Sequence, residues 1–349
     1  MNSQIILKNI ASIKINQKIY GSNMLQFGDF IIIYSGNNGN ERIDDVILVD
    51  TITNKFKKIS HTNHCGLELK RDIVGGFVYQ NKMVYSMGGN GIHWYNDVYV
   101  LSIKDSMHEI KNIPKNINNI TGEWFSVPVQ SEMKPLGRAG HICILHNNKI
   151  IVGYGWSEKS TLDDMWEFDL QKLEWNEIKI NSRTKPRASD SMSCVLVGDF
   201  IYVFGGGIKN ERLNEVWKYD ILNKTWISII KNEPIFGIAG AKSIHYQDYI
   251  YIIGGSVTRN EHSNKIIKYS IKMDNFVYTE SPIIFGYMPQ CIIKNGILYT
   301  HGGCINNTWN THMELYRIDY TIEQYQNWNK LMKILEQNNY VDCSIVTFE

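Results

Sequence analysis

The chain has 349 residues, 43% of them hydrophobic and 12% aromatic, with 36 basic side chains set against 35 acidic ones. That length exceeds what one hydrophobic core normally organises, so the core must be built by repetition or split. The balanced charge and the absence of a basic stripe disfavour nucleic acid, and no apolar run approaches the roughly eighteen residues of a membrane span.

Residues 1–15 lack the basic flank and continuous apolar run of a signal peptide, so a cytoplasmic location is expected. Residues 5–9 read as a short strand. From residue 22 onward the chain falls into units of four short strands joined by turns. The first unit has strands at 22–27, 30–34 and 45–50, and the second at 74–79, 82–87 and 97–103. The second unit then carries a polar, Asn/Lys-rich insertion at 104–121, read as a mobile loop, before its outer strand arrives at Glu123–Trp124–Phe125. The third unit uses 141–146, 149–152, 165–169 and 175–178, and the fourth 190–197, 200–204, a strand ending in Trp217–Lys218–Tyr219–Asp220, and one around Trp226. The fifth uses 241–246, 249–253, 266–270 and 276–279, and the sixth 290–293, 297–301 and 314–319. Beyond it, Trp328, Leu331, Met332 and Leu335 have the spacing of an amphipathic helix over 327–338, and 340–348 reads as a further strand.

A glycine doublet, replaced by Ser35–Gly36 in unit one and Tyr154–Gly155 in unit three, follows the second strand of each unit and serves as a ruler. Its second glycine falls at Gly36, Gly89, Gly155, Gly206, Gly255 and Gly303, and an outer-strand aromatic recurs as Phe56, Trp124, Trp175, Trp226, Phe276 and Tyr325. A period near fifty, a Gly-Gly, a Tyr/Trp-x-Tyr-Asp strand and a Trp resemble the kelch repeat, a builder of propellers. The resemblance implies an all-β, six-bladed kelch β-propeller over residues 1–325, followed at 326–349 by a linker helix and the first strand of a truncated BTB domain. An open last blade would expose unpaired backbone, and residues 5–9, with Leu7 at the Trp position, are the candidate that closes it.

The repeating features read as architecture. The glycines supply backbone freedom, and Asp50, Asp169, Asp220 and Asp319 stand where carboxylates cap turns. Cys143, Cys194 and Cys291 each lie twelve residues before their ruler glycine, opposite Met24, Phe77 and Ser243, and read as small buried packing residues. All six cysteines are expected to be reduced. The ten histidines show no paired ligand spacing, and neither the copper set of galactose-oxidase-like kelch proteins nor the Glu-x3-Asp-x3-His segment of the specifier type is present. No catalytic residue, metal or cofactor is assigned, and the chain is read as a non-enzyme.

The loops between strands two and three, and those leading into the next unit, differ from unit to unit. In kelch adaptors these form the docking face. They hold Trp94, Tyr95, Trp156 and Trp309 together with Arg42, Arg71, Arg138, Arg187, Arg212 and Arg259, the residue types that dominate interface hot spots. These ten are the candidate partner-binding residues. Their alternative role is structural, with tryptophans folded over blade tops and arginines capping strand ends. Propeller followed by BTB is similar to the leucine-zipper-like regulator family, which implies a substrate receptor of a cullin-type ubiquitin ligase. Such a receptor would recognise a Ras-family GTPase through the propeller and cullin through a downstream BTB domain. A cytoskeletal or scaffold kelch protein of the actin-binding type is the alternative, and a kelch-fold sugar or redox enzyme a third.

Overall fold

The logic of the fold is clearest in repeat four. Phe200–Phe204 is apolar at every position because it lies inside a sheet, paired antiparallel with Ser193–Val197 on one side and Val216–Asp220 on the other. Thr225–Ser228 completes the sheet, with Trp226 opposite Tyr219. The turn before it is capped by Asp220, whose carboxylate accepts the Asn223 N–H at 2.9 Å. Asp50 and Asp169 cap the same turn in their repeats by accepting the N–H of Ile52 and Gln171. This use of a short acceptor side chain to close a turn is local chemistry, so it recurs wherever the sequence does.

The computed structural model describes residues 8–15, 19–105, 108–109, 117–229, 237–280, 284–305, 308–309 and 312–317. Among these the architecture is an all-β propeller, and one 3-10 turn, Ile117–Asn119, is the helical element. Three sheets are separate four-stranded meanders, spanning Ile142–His146 to Glu174–Glu177, Ser193–Val197 to Thr225–Ser228, and Lys242–Tyr246 to Asn275–Glu280. The first strands pack side by side in a circuit: Asn23–Phe27, Gly75–Tyr79, Ile142–His146, Ser193–Val197, Lys242–Tyr246, Tyr287–Lys294 and back to the first. Residues 318–349, which include Tyr325, the expected helix at 327–338 and the BTB-like strand, lie outside the described residues, as do residues 1–7.

The N-terminal segment supplies the outer strand of the last sheet, described over Lys8–Lys14, which the expected strand at 5–9 overlaps only at residues 8–9. Lys8–Lys14 pairs antiparallel with His312–Arg317 and puts Asn9 opposite Tyr316, where repeat four has Trp226 opposite Tyr219. Leu7 therefore does not hold that position. A bulge between Asn9 and Ala11 shifts the pairing, and Glu314 accepts hydrogen bonds from Asn9 and Ser12 at 2.6 and 2.9 Å. The miss comes from a shorter connection: Asn9 lies fourteen residues before Asn23, whereas Trp226 lies sixteen before the equivalent Lys242.

The glycine ruler also moves by one in repeat two. The N–H groups of Gly36, Gly155, Gly206 and Gly255 each donate to a carbonyl of the following repeat, and the equivalent donor in repeat two is Gly88, to Arg138. The left-handed residue before it is Met87, matching Ser35, Tyr154, Gly205, Gly254 and Gly302, all with φ between 59° and 72°. That first position thus tolerates side chains, while the second is glycine throughout. With the ruler corrected, the residue equivalent to Cys143 and Cys194 is Gly76, opposite Tyr85, and not Phe77.

Repeats one and two are joined more tightly than any counting suggests. The outer strand Lys55–Asn63 runs on past its own sheet, and Ser60–Asn63 pairs in parallel with Thr121–Trp124, making one nine-stranded sheet. Trp124 is fully buried there among Tyr34, Tyr85 and Tyr99. The insertion correspondingly begins and ends as strand: Val98–Asp105 pairs with Ile120–Ser126 along its length and with His108–Glu109 at its tip. Residues 106–107 and 110–116 of that insertion lie outside the described residues.

Candidate functional site

Both sets of variable loops meet on one face. In each repeat the residue leading into strand one pairs with the first residue of the loop after strand two, which pairs with a residue near that loop's end. The six sets are Tyr20–Asn37–Arg42, Asp72–Gly89–Trp94, Ala139–Trp156–Thr161, Asp190–Gly207–Arg212, Ala239–Ser256–His262 and Tyr287–Cys304–Trp309. Arg42, Trp94, Arg212 and Trp309 therefore hold equivalent places. Trp156 stands where the other repeats have Asn, Gly, Ser or Cys, and 37% of it is exposed. The widely spaced candidates share a face because backbone pairing folds every loop back over its own sheet.

The ten candidates do not share one role. Arg71 and Arg138 are fully buried and leave the binding face. Arg71 forms a two-pronged ion pair with Asp97 at 2.7 and 2.9 Å, donates to the Met87 and Glu68 carbonyls, and stacks 4.1 Å from the Tyr95 ring centroid. Arg138 repeats this with Asp164 at 2.7 and 2.9 Å and with the Tyr154 and Leu136 carbonyls. The planar fork of arginine suits this double duty, holding a carboxylate while satisfying the carbonyl of a left-handed residue. Burial pushes the Asp164 carboxyl upward, but Arg138 overcomes it and holds the group below the usual carboxylate range. Tyr95 is half-buried between the Arg71 guanidinium and Asn90, which donates to its hydroxyl at 2.7 Å.

The other arginines reach the surface. Arg187 is half-exposed and bridges Glu211 and Glu215. Arg42 pairs with Asp72 at 3.2 Å, Arg212 donates to Ser256 at 3.0 Å, and Arg259 is exposed in its loop. Asp72 and Asp190 lie at equivalent places around the mouth of the central channel. Burial raises both carboxyls, opposed by Arg42 at Asp72 and by Ser191 and Arg212 at Asp190. The Tyr287 hydroxyl meets the Ser191 hydroxyl at 3.1 Å and so ties repeat six to repeat four over that mouth. Among the described residues no three His, Cys, Asp or Glu side chains are grouped to hold a metal ion.

Two residues that the candidate set omits complete an apolar area over repeats two and three. Ile92 is 74% and Leu136 62% exposed. The Arg138 N–H donates to the Tyr95 carbonyl at 3.2 Å and Ala139 to that of Trp156 at 2.9 Å, so Ile92, Trp94, Leu136 and Trp156 lie along adjoining loops. Single exposed apolar residues are ordinary, but grouped ones mark an interaction site. The available signal was an isoleucine and a leucine in loops otherwise polar or glycine-rich.

Comparison with known proteins agrees with this architecture. Residues 115–290, half of the chain, match the family described as the KLHDC2/KLHL20/DRC7 Kelch-repeats domain. The chain belongs to that kelch-repeat family, whose propellers typically bind proteins. It is 25% identical over 136 residues to a leucine-zipper-like transcriptional regulator 1 homolog of Drosophila melanogaster, covering 36% of this chain and 14% of the relative. It is 23% identical over 233 residues to kelch domain-containing protein 10 of Xenopus tropicalis, covering 62% of this chain and 52% of the relative. With kelch domain-containing protein 2 of Bos taurus it shares 24% identity over 227 residues, 59% of this chain and 54% of the relative. The chain thus spans about half, or much less, of the length of these relatives. No described helix is long and apolar enough to cross a membrane.

Proposed function

We propose that the chain is a six-bladed, substrate-recognising propeller of a cytoplasmic adaptor for a cullin-type ubiquitin ligase. A protein partner docks on the loop face over repeats two and three. The observation that carries this reading is the group of exposed apolar side chains, Ile92, Leu136 and Trp156, beside Trp94 on a rigid rim. The buried ion pairs of Arg71 and Arg138 lie beneath that rim and hold the loops in place, which lowers the entropy lost on binding. The circuit of first strands supports the six-blade count. Similarity to leucine-zipper-like regulators supports the adaptor role, in which a Ras-family GTPase is the partner class and a BTB domain outside the described residues engages cullin. Arg42, Arg187, Arg212, Arg259 and Trp309 form the polar and aromatic rim of the proposed interface.

Affinity capture with the immobilised chain tests this. Small GTPases or ubiquitin-ligase substrates should bind the unmodified chain and be lost with Trp156→Ala or Ile92→Asp at unchanged thermal stability. Capture of cytoskeletal proteins that is indifferent to both substitutions would replace this reading with the scaffold one.

A further inference from the structure

We propose that the axial cavity is a binding site for a small oxyanion, of carboxylate or phosphate type, held by Lys242. The cavity measures about 150 Å³ and is lined by the starts of the first strands. Around it a simple packing rule operates between neighbouring repeats. A Cβ on Gly75 would lie 2.3 Å from the Cys143 sulfur, one on Gly76 2.7 Å from the Asn23 side-chain oxygen, and the Ser193 hydroxyl meets that of Ser243 at 2.6 Å. One of the three contacts joins two hydroxyls, and the other two seat a glycine beside Cys143 or Asn23, so none carries a charge. In repeat five the same register position is a lysine.

Lys242 is the formally cationic side chain of this lining, and the lining contains no carboxylate. Among the described residues no ion-pair partner is assigned to it. Its charge reaches Cys143, Cys194 and Cys291 on three different repeats, where it opposes the burial that pushes those thiols up. Lys242 and two of these thiols, Cys143 and Cys194, line the same cavity. His141 also lines the cavity, but both its ring nitrogens are sealed from solvent and so from any ion held there.

A cation with neutral donors around it is matched by an acceptor-rich anion, through charge-assisted hydrogen bonds. The Gln290 amide and the Ser193–Ser243 pair add further donors on the lining. The same cation argues against metal capture by the thiols, because it repels a second positive charge and the thiols stay protonated. The volume admits a carboxylate or a phosphate. The site is independent of the partner proposed for the loop face.

Calorimetric titration of the full chain with inorganic phosphate, with acetate and with chloride as control tests it. Binding of one phosphate or one acetate per chain is expected, weakened about tenfold or more in Lys242→Met and retained in Lys242→Arg. Phosphate preference would identify a tetrahedral dianion, and acetate preference a carboxylate. No binding of either, or equal binding by Lys242→Met, overturns the proposal. If Lys242→Met does not fold, the unmodified chain still decides. The saturating anion should slow methyl methanethiosulfonate labelling of the cavity-lining Cys143 and Cys194 while leaving exposed Cys65 unaffected, and equal rates with and without anion would overturn it.

Discussion

Repeats two and three differ from repeat four at one position, and the contrast separates architecture from surface. Seventeen residues before the second glycine, repeats two and three place Arg71 and Arg138, whereas repeat four places Ser189. Both arginines vanish into the sheet junction and pair with Asp97 and Asp164. Ser189 instead closes a local bond to the Arg187 carbonyl at 3.0 Å. The arginine of that loop, two residues earlier, swings outward to meet Glu211 and Glu215 in water. A displacement of two residues thus turns one side chain from a structural bolt into a surface charge. Where the arginine is buried, the left-handed residue whose carbonyl it satisfies is Met87 or Tyr154, and where it is absent that residue is Gly205.

The largest expected effect breaks the bolt. Arg138→Ala or Arg71→Ala leaves a carboxylate facing an empty buried site and should cost about 3–5 kcal/mol, read by denaturant unfolding. A loss below about 1 kcal/mol would show that the pair is dispensable.

His141, beside Arg138, gives the next effect. Burial, reinforced by the Arg138 charge, drives its pKa down to about 3, below the ordinary value near 6.5. The unfolded chain therefore binds the extra proton between those values. The stability contribution is intact above about pH 6.5 and falls as the pH drops towards 3, by on the order of 3 kcal/mol between pH 7 and pH 4. Asp164, held low, acts in the same direction, while Asp72 and Asp190, held high, act against it. The difference between the unmodified chain and His141→Gln isolates the histidine. Parallel stability–pH curves for the two would refute the assignment.

Trp156→Ala should weaken partner binding by about 2 kcal/mol, roughly thirtyfold, with the melting temperature almost unchanged. Unaltered affinity in a titration would move the interface away from repeats two and three. The smallest effect is expected from Arg187→Ala, whose half-exposed pairs should contribute less than about 0.5 kcal/mol to stability. A loss matching that of Arg138→Ala would erase the distinction between the two repeats.

Much of the ring was legible from residues alone. The strand positions of repeats three, four and five agree with the sheets to within a few residues, because apolar runs and turn residues are local signals. Three features were not legible. In the closing strand Asn9, not Leu7, stands opposite Tyr316 because the connection into repeat one is two residues shorter than the one after Trp226. Repeat two is offset by one because Met87 adopts a left-handed backbone that the doublet pattern assigns to glycine. Cys143 and Cys194 are half-buried cavity-lining residues where burial was expected, since Gly75 and the axial opening leave room beside them, while Cys291 is buried. Of the candidate face, the shared side of the loops was inferable from register. The fate of each arginine was not, since exposure depends on which carboxylate and carbonyl the neighbouring strand presents.

By itself the sequence determined the repeat, the strand order and the face on which the variable loops gather, since each follows from hydrophobic alternation and turn chemistry within a few residues. Tertiary structure alone decided which arginines are bolts, that Ser60–Asn63 welds repeats one and two, and that Lys242 lines the axial cavity with Cys143 and Cys194. Those outcomes depend on groups tens or hundreds of residues away in the chain, brought together when the circuit of first strands closes.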